Sequence, residues 1–390
     1  MRWLALSALL VALAGCDREG VVRSASPLSV ALDSTRGADS TFVVVHGLSS
    51  AELKELRDRS AATRNGALRD LLQVAVDDSA TQQTGVLVSG RHAISDTAVE
   101  FRPRFPLDRG STYRVSVNGS VLQREGGDSL HVARIALPAG DRTPRTTVRA
   151  VYPANDTVPE NLLRLYIEFS APMSRTGGLD YISLRDDRNQ EVKAAFLPLD
   201  ADFWNDDRTR YTAFLDPGRV KRGILPNEQM GRAILAGRNY SVVIDSSWRD
   251  ANGLPLVATH RHTFHVSAPD ESIIALKAWR ITSPLKGSRD ALRVVFNKPL
   301  DHGLLARALG VERKDGSQVM GTVDIAANGR EWHFTPSEVW RAGEYQLLVL
   351  SILEDPAGNR IDGPFEVDVF ERVDKSPAPE RHTLPFSVGK

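Results

Sequence analysis

The chain of 390 residues has a single cysteine, Cys16. One thiol excludes an internal disulfide, so the folded domains have to be stabilised by buried apolar cores. The sequence also lacks an excess of charge, since 49 Lys and Arg residues balance 49 Asp and Glu residues. Nucleic-acid-binding surfaces are usually basic, so we expect no nucleic-acid partner.

Motifs typical of common catalytic sites are absent as well. The sequence has no Gly-x-Ser-x-Gly nucleophile motif, no His-Glu-x-x-His zinc motif and no glycine-rich phosphate loop. Paired carboxylates that hydrolyse glycosides meet only in space, so the sequence alone leaves them open. We expect a chain that is not an enzyme and that uses no metal or dissociable cofactor.

Long apolar runs are missing too, apart from a short one at the N-terminus. It follows Arg2, continues over residues 4–11 and ends at residues 13–16 (Leu-Ala-Gly-Cys). Its apolar core is about ten residues long, whereas a membrane-spanning helix needs roughly 20. A basic start, a short apolar core and small residues are typical of a secretory signal peptide.

The end of this segment resembles the lipobox of bacterial lipoprotein signal peptides. The resemblance implies that residues 1–15 are removed, that Cys16 carries a covalent diacylglycerol and an acyl chain such as palmitate, and that residues 16–26 form a tether. It places the chain in the bacterial cell envelope, anchored by lipid, with the outer membrane (periplasmic or surface face) favoured over the inner membrane. The alternative is an ordinary signal peptide with an incidental cysteine.

The remaining sequence contains an internal repeat. Its markers are a strand that ends in Phe-x-x-Pro, a tyrosine that follows a glycine and opens an apolar strand, and an Asp-x-x-Gly turn. These markers occur at Phe169, Phe296, Tyr113, Tyr240, Tyr345, Asp250 and Asp355. They predict three domains, at residues 27–140 (diverged), 146–268 and 273–390.

Most of each copy reads as short strands with alternating apolar residues, separated by turns about 8–12 residues apart. This pattern predicts an all-β chain of three tandem sandwiches with Greek-key connections. A short helix is predicted as an insertion in the first copy, because Ser49 and Glu52 can form a capping box and Leu53 and Leu56 share one face. Residues 381–388 predict an edge strand of the third domain, where a proline is tolerated.

The three markers together resemble bacterial Ig-like domains of the SbsA type. The clearest matches are residues 296–299 (Phe-Asn-Lys-Pro) and 355–359 (Asp-Pro-Ala-Gly-Asn). The second copy departs from the pattern at Leu254, and the first copy matches only in part. The resemblance implies tandem Ig-like sandwiches, and its structural motifs say little about function.

The second copy has a basic insertion at residues 218–236. Its four basic residues are Arg219, Lys221, Arg222 and Arg232. Long loops on rigid sandwiches often carry binding functions, so these are candidate interaction residues for an anionic glycan, a phosphate or another protein. The alternative is a loop that closes one end of the sandwich.

Two further clusters contain side chains that metals can bind. They are the acidic loop of Asp200, Asp202, Asp206 and Asp207 around Phe203 and Trp204, and the strand residues His260, His262 and His265. The loop lacks EF-hand spacing, and a strand directs His265 away from the other two histidines. We favour a solvated loop and an ordinary terminal strand, with metal binding as the alternative for both.

Together these patterns favour a non-enzymatic, membrane-anchored envelope lipoprotein with a structural, adhesive or protein-binding role. Envelope proteins or glycans are the expected partners. The alternative is carbohydrate or ligand binding in uptake or polysaccharide handling, through a platform of exposed tryptophans: Trp204, Trp248, Trp332 and Trp340. A third hypothesis is an accessory protein for an envelope enzyme encoded elsewhere.

Overall fold

The computed structural model describes residues 27–33, 41–63, 66–77, 85–122, 130–141, 144–175, 177–199, 202–220, 231–365 and 380–389. Cys16, the predicted signal peptide and the predicted tether lie outside these residues, as do Lys221 and Arg222. Within the described ranges, no helix has both the length and the apolar character needed to cross a membrane.

The strands within these described ranges form six sheets, two in each predicted copy. The first copy contains β1 (Ser29–Asp33), β2 (Phe42–His46), β3 (Leu72–Val76), β4 (Gly90–Ile94), β5 (Val99–Pro103), β6 (Thr112–Asn118) and β7 (Leu130–Ala136). The second contains β8 (Val148–Tyr152), β9 (Thr157–Pro159), β10 (Arg164–Phe169), β11 (Ile182–Asp186), β12 (Arg210–Phe214), β13 (Asn239–Ile244) and β14 (His260–Ser267). The third contains β15 (Arg280–Thr282), β16 (Leu292–Val295), β17 (Leu309–Arg313), β18 (Gly321–Ile325), β19 (Glu331–Pro336), β20 (Gly343–Leu350) and β21 (Arg381–Val388).

Short helices connect some of these strands. They are α1 (Ser50–Thr63), α2 (Gly66–Leu71), α3 (Pro217–Val220) and α4 (His302–Ala308), with 3₁₀ turns at Gly119–Leu122, Gly178–Tyr181 and Leu276–Ala278.

The first and third copies share one strand order. The first has sheets β1-β2-β5-β4 and β3-β6-β7, and the third repeats this as β15-β16-β19-β18 and β17-β20-β21. This is the A-B-E-D and C-F-G arrangement of a seven-stranded Ig sandwich. The predicted all-β class of tandem Ig-like sandwiches is confirmed.

The second copy varies this arrangement, with sheets β12-β10-β8 and β11-β13-β14-β9. Strand β9 runs parallel to β14, with Val158 opposite Val266. Leu165, Ile167 and Phe169 of β10 point into the core between the two sheets. Each fully buried side chain of this kind stabilises the fold by roughly 1.5–3 kcal/mol. The side chains on the opposite face of β10 point away from this core and are available for contacts outside the sandwich.

Helix α1 forms the predicted insertion in the first copy. Ser49 Oγ accepts a hydrogen bond from Glu52 N at 3.3 Å, and Glu52 Oε2 accepts one from Ser49 N at 2.7 Å. This reciprocal capping box satisfies backbone donors at the helix start. Leu53 and Leu56 are each 1% exposed, so the predicted apolar face is the buried one.

The repeat markers have structural roles. Tyr345 Oη donates to the carbonyl of Arg341 at 2.9 Å, which is the tyrosine corner of Ig-like sandwiches. Asp355 Oδ1 accepts hydrogen bonds from the backbone N–H groups of Ala357 and Asn359, both at 2.9 Å. The carboxylate therefore organises the turn, as expected from Asp-Gly turn chemistry.

Internal contacts divide the chain into two compact units. One unit contains the described residues up to Leu107 together with Ser111–Ala136, and the other contains Asp108–Gly110 and the described residues from Leu137 onward. The second and third sandwiches therefore belong to one unit, and the limits of the three domains stay a prediction. Residues 381–388, for which the sequence predicts an edge strand, form β21 and pair with β20.

Candidate functional site

The fold buries Arg219 of the basic insertion. This side chain is 5% exposed. Its guanidinium donates to four backbone carbonyls, those of Gly231 (2.9 Å), Lys193 (2.7 Å), Ala194 (3.1 Å) and Arg232 (3.1 Å). These donors are used inside the protein, where they hold both ends of the insertion, and an interaction of Arg219 with a partner stays a prediction.

Arg232, at the other end of the insertion, is also turned inward. Its side chain is 9% exposed, and Nη1 lies 3.6 Å from Glu160 Oε2. The adjacent Ala233 and Ile234 belong to the core of the second sandwich. The described ends of the insertion therefore pack on the sandwich. Lys221 and Arg222 fall outside the described residues and stay candidate interaction residues.

The acidic loop is anchored to the second sandwich. Asp202 Oδ1 accepts hydrogen bonds from Tyr211 Oη at 3.0 Å and from Gly178 N at 3.2 Å. Burial raises the pKa of Asp202 above its usual value, although these bonds oppose the rise. Asp206 and Asp207 lie exposed in a turn, while Asp200 is outside the described residues.

The three histidines of β14 divide between two faces. His260 and His262 share a face with buried Phe264, and burial lowers the pKa of both rings. His265 lies on the exposed face, with Nδ1 3.0 Å from Asn239 Oδ1. Across the described part of the chain, no group of three or more His, Cys, Asp or Glu side chains is placed to hold a metal ion.

The tryptophans do not form an exposed platform. Trp248 and Trp332 are fully buried, and Trp340 is 2% exposed. Trp204 is half-buried, with its ring 5.7 Å from that of Trp248. These rings stabilise cores, and the exposed aromatic side chain of this region is Phe203, at 46%.

The third sandwich packs on the second through helix α4, which lies on the outer face of β8 and β10. We call this contact the junction. The ring of His302 stacks on that of Tyr152, with centroids 3.5 Å apart and planes 8° apart. A Cβ on Gly303 would lie 2.6 Å from the ring of Tyr166, so only glycine allows this close approach. Tight packing of this kind resists sliding of one sandwich over the other.

A buried charge cluster completes the junction. Arg164 of β10 forms ion pairs with Glu354 and with Asp301, whose Oδ2 lies 3.4 Å from Arg164 Nε. Tyr166 Oη donates to Asp301 Oδ1 at 2.7 Å, and Asp301 Oδ1 also accepts from Leu304 N to cap α4. Burial raises the pKa of Asp301, and the positive charge of Arg164 opposes that rise. The cluster ties β10 of one sandwich to α4 of the next.

The linker between the two sandwiches is held from both sides. Asn161 from the second sandwich and Asn359 from the third both donate to the carbonyl of Asp270, at 2.9 and 2.8 Å. Lys298 Nζ lies 2.8 Å from Asp270 Oδ2 and 2.6 Å from Asp355 Oδ2. Hydrogen bonds and charge pairs therefore fix this linker, which favours one relative orientation of the two sandwiches.

A groove of about 380 Å³ opens beside the junction. It runs between the outer face of β12, the loop at Phe203 and the end of α4, and we call it the β12 groove. Its lining includes Arg210, Phe214 and Arg307. The ring of Phe203 meets that of Phe214 edge-on, with centroids 5.3 Å apart. The groove thus combines a small apolar surface with three guanidinium groups, because Arg164 lines it as well.

Sequence reasoning identified neither the junction nor the β12 groove. Two signals were present in the sequence. Asp301 precedes an apolar run that contains a glycine, as a helix N-cap does, and Lys298 is the charged residue within the Phe-Asn-Lys-Pro motif. Neither signal reveals that its partner lies in another sandwich.

Comparisons with known proteins do not assign this chain to a family. No protein-family model matches the sequence, and a search of curated proteins finds no match. Among solved structures, the chain is similar to the I-band fragment I67–I69 of titin (8% identity, 83% of this chain and 87% of that chain, TM-score 0.17). It is also similar to domains 4–9 of the surface layer protein SbsC (9% identity, 81% and 44%, TM-score 0.20) and to native α2-macroglobulin from Escherichia coli, domains MG0-NIE-MG1 (12% identity, 63% and 72%, TM-score 0.22). At these TM-scores we carry no property of the neighbours over to this chain.

Proposed function

We propose that the protein is a lipid-anchored component of the bacterial cell envelope that spaces or binds other envelope proteins and performs no catalysis. The observation that carries this proposal is the junction. Helix packing and a buried charge cluster join two sandwiches into one unit, and a rigid unit holds a partner at a defined distance from its anchor. A hinge between the sandwiches would lose that property.

The anchor in this proposal is the lipid on Cys16. Each buried CH₂ of an acyl chain contributes about 0.8 kcal/mol to membrane binding, so a diacylglycerol with a further acyl chain holds a protein stably. The preferred location is the outer membrane, on its periplasmic or surface face. The support is the lipobox resemblance at residues 13–16.

Carbohydrate or ligand binding is the second candidate function. Its candidate site is the β12 groove, where Phe203 is exposed beside two arginines. The buried Trp248, Trp332 and Trp340 weigh against a sugar-stacking platform. We therefore rank protein binding first.

Cell fractionation tests the anchoring. Cys16→Ala is compared with wild type and with Ser24→Ala, a matched change within the predicted tether. We expect wild type and Ser24→Ala in the membrane fraction and Cys16→Ala outside it. The intact mass of the wild-type protein should show lipid on an N-terminal Cys16. Membrane attachment of Cys16→Ala equal to that of wild type would refute the lipid anchor.

Protease treatment of intact cells then assigns the side of the membrane. Cleavage of wild type on intact cells indicates the surface face, and protection until the cells are opened indicates the periplasmic face. Recovery of wild type in the inner-membrane fraction would contradict the preferred location.

A further inference from the structure

Two arginines of the β12 groove, Arg210 and Arg307, form no ion pair with another residue that the structure describes. Arg210 lies over the ring of Tyr166, with Cζ 5.4 Å from the centroid, and Arg307 is exposed at the end of α4. Among the described residues, neither guanidinium has a carboxylate oxygen within 4.0 Å. Arg164, also in the lining, is already paired with Asp301 and Glu354.

Asp206 is the acidic side chain in the described lining of the groove, against the two arginines Arg210 and Arg307. Glu168 is outside the lining and lies opposite Arg210 in the register of β10 and β12. Glu168 Oε1 points toward His302 Nε2, at 3.8 Å. The open part of the groove therefore keeps a positive character, which is complementary to a carboxylate-bearing ligand.

The apolar part of the groove limits the shape of that ligand. Phe203 is 46% exposed, and its ring stands at 81° to that of Phe214. This edge-on pair makes a small apolar notch, without the row of parallel ring faces on which successive sugars stack. One apolar side chain fits such a notch better than a pyranose ring does.

The edge of β12 is not available for strand addition. Thr212 N donates to the carbonyl of Phe203 at 2.9 Å, and Asn205 N donates to that of Arg210 at 3.1 Å. A peptide in the groove would thus be recognised through its side chains, not by pairing with the sheet.

We propose that the β12 groove binds an acidic segment of a partner protein, in which an apolar side chain enters the notch between Phe203 and Phe214 and flanking carboxylates bind Arg210 and Arg307. This inference rests on the protein-binding role proposed above and names the chemistry of the partner. The junction places both arginines, from different sandwiches, at fixed positions along the same groove.

Fluorescence anisotropy with a labelled peptide of repeating Glu-Leu-Glu units tests the proposal. The full chain carries Cys16→Ala, so that membrane attachment plays no part. We expect saturable binding that weakens when NaCl is raised from about 50 mM to about 500 mM. A peptide with Gln in place of every Glu should bind about tenfold more weakly or worse, because neutral amides lose the charge-assisted bonds.

Charge reversal locates the site. Arg307→Glu alters an exposed side chain and should lower the affinity about tenfold, as should Arg210→Glu. Arg280→Glu, an exposed arginine on β15 outside the groove, is the matched control and should stay within about twofold of wild type. Phe203→Ser should weaken binding without changing its salt dependence.

Other outcomes overturn the proposal. Equal binding of the Glu and Gln peptides, or no response to Arg210→Glu and Arg307→Glu, would remove the groove as an acidic-peptide site. Binding of polygalacturonate that depends on both arginines, with no peptide binding, would assign the groove to an anionic glycan. Binding of inorganic phosphate alone would leave only an ion site. None of these results affects the fractionation of Cys16→Ala, so failure of the groove and failure of the anchor are distinguishable.

Discussion

Replacing Arg164 with Met should separate the second and third sandwiches. The side chains of Arg164, Asp301 and Glu354 are 16%, 2% and 10% exposed. At the observed 3.4 Å between Arg164 Nε and Asp301 Oδ2, an effective dielectric constant of about 20 gives an attraction of roughly 5 kcal/mol. Met keeps most of the apolar stem but leaves the buried carboxylate of Asp301 without its cation, while Glu354 keeps its ion pair with Arg360. Removing one partner of a buried pair typically costs about 3–5 kcal/mol.

Urea unfolding followed by tryptophan fluorescence measures this loss of stability in the second and third sandwiches. Apart from Trp3 in the predicted signal peptide, every tryptophan lies in the second or third sandwich: Trp204, Trp248, Trp279, Trp332 and Trp340. Wild type should unfold in one fluorescence transition, and Arg164→Met should show an earlier or divided transition.

The matched control is Arg293→Met. Arg293 pairs with Glu331 at 2.8 Å on the surface, where its side chain is 50% exposed. Loss of an exposed pair of this kind has little effect on the free energy of unfolding. If Arg164→Met lowers the free energy of unfolding no more than this control does, and its transition stays undivided, the charge cluster does not hold the two sandwiches together.

Two further predictions concern the helix side of the junction. Gly303→Ala should destabilise the joined unit by about 1–3 kcal/mol in the same urea assay, because its Cβ would lie 2.6 Å from the ring of Tyr166. The control is Gly310→Ala, whose Cβ would have its nearest contact at 3.9 Å and which should therefore destabilise the unit clearly less. Equal destabilisation by the two variants would contradict the tight packing of Gly303 on Tyr166. For His302, burial and then the positive charge of Arg210 lower the pKa to about 4, while the unfolded ring titrates near about 6.5. Between these two pH values the unfolded chain binds a proton that the folded chain does not. The free energy of unfolding of wild type should therefore fall by up to about 3 kcal/mol relative to that of His302→Gln as the pH falls through this window, with no further relative loss below it. Parallel stability profiles for the two proteins across that range would refute this assignment.

Much of the fold could be predicted from local sequence patterns. Alternating apolar residues and turn residues specify strands over short distances, and the capping box of Ser49 and Glu52 specifies where α1 begins. The tyrosine corner at Tyr345 follows from the glycine and apolar strand around it. Each of these features is local, so a single sequence contains the information.

The junction could not be predicted in the same way. Arg164 and Glu354 are far apart in sequence, and nothing in the sequence around either residue indicates that they meet. The seven residues of α4 are too few to give a clear helical period, and the tight contact of Gly303 with Tyr166 exists only in the folded protein.

In the basic insertion, the sequence pattern indicates an interaction site at a residue that the fold buries. The sequence reveals that Arg219 is charged, but it does not reveal that backbone carbonyls surround it. A guanidinium has five N–H donors, so it can be buried when enough acceptors converge on it. Four hydrogen bonds to backbone carbonyls show that Arg219 satisfies this condition. Charge alone is therefore a weak guide to an interaction site.

The rigidity of the junction is the central claim, and a distance distribution between spin labels tests it most directly. Because Cys16 is the only native cysteine, Cys16→Ala provides a background for labels at Thr263→Cys on β14 and Thr322→Cys on β18, both exposed. Double electron–electron resonance spectroscopy should give one narrow distribution of the distance between the two labels. This distribution should broaden when Arg164→Met is added. A broad or multiple distribution in the background protein would show that the two sandwiches move independently, and it would contradict the proposed role as a rigid spacer.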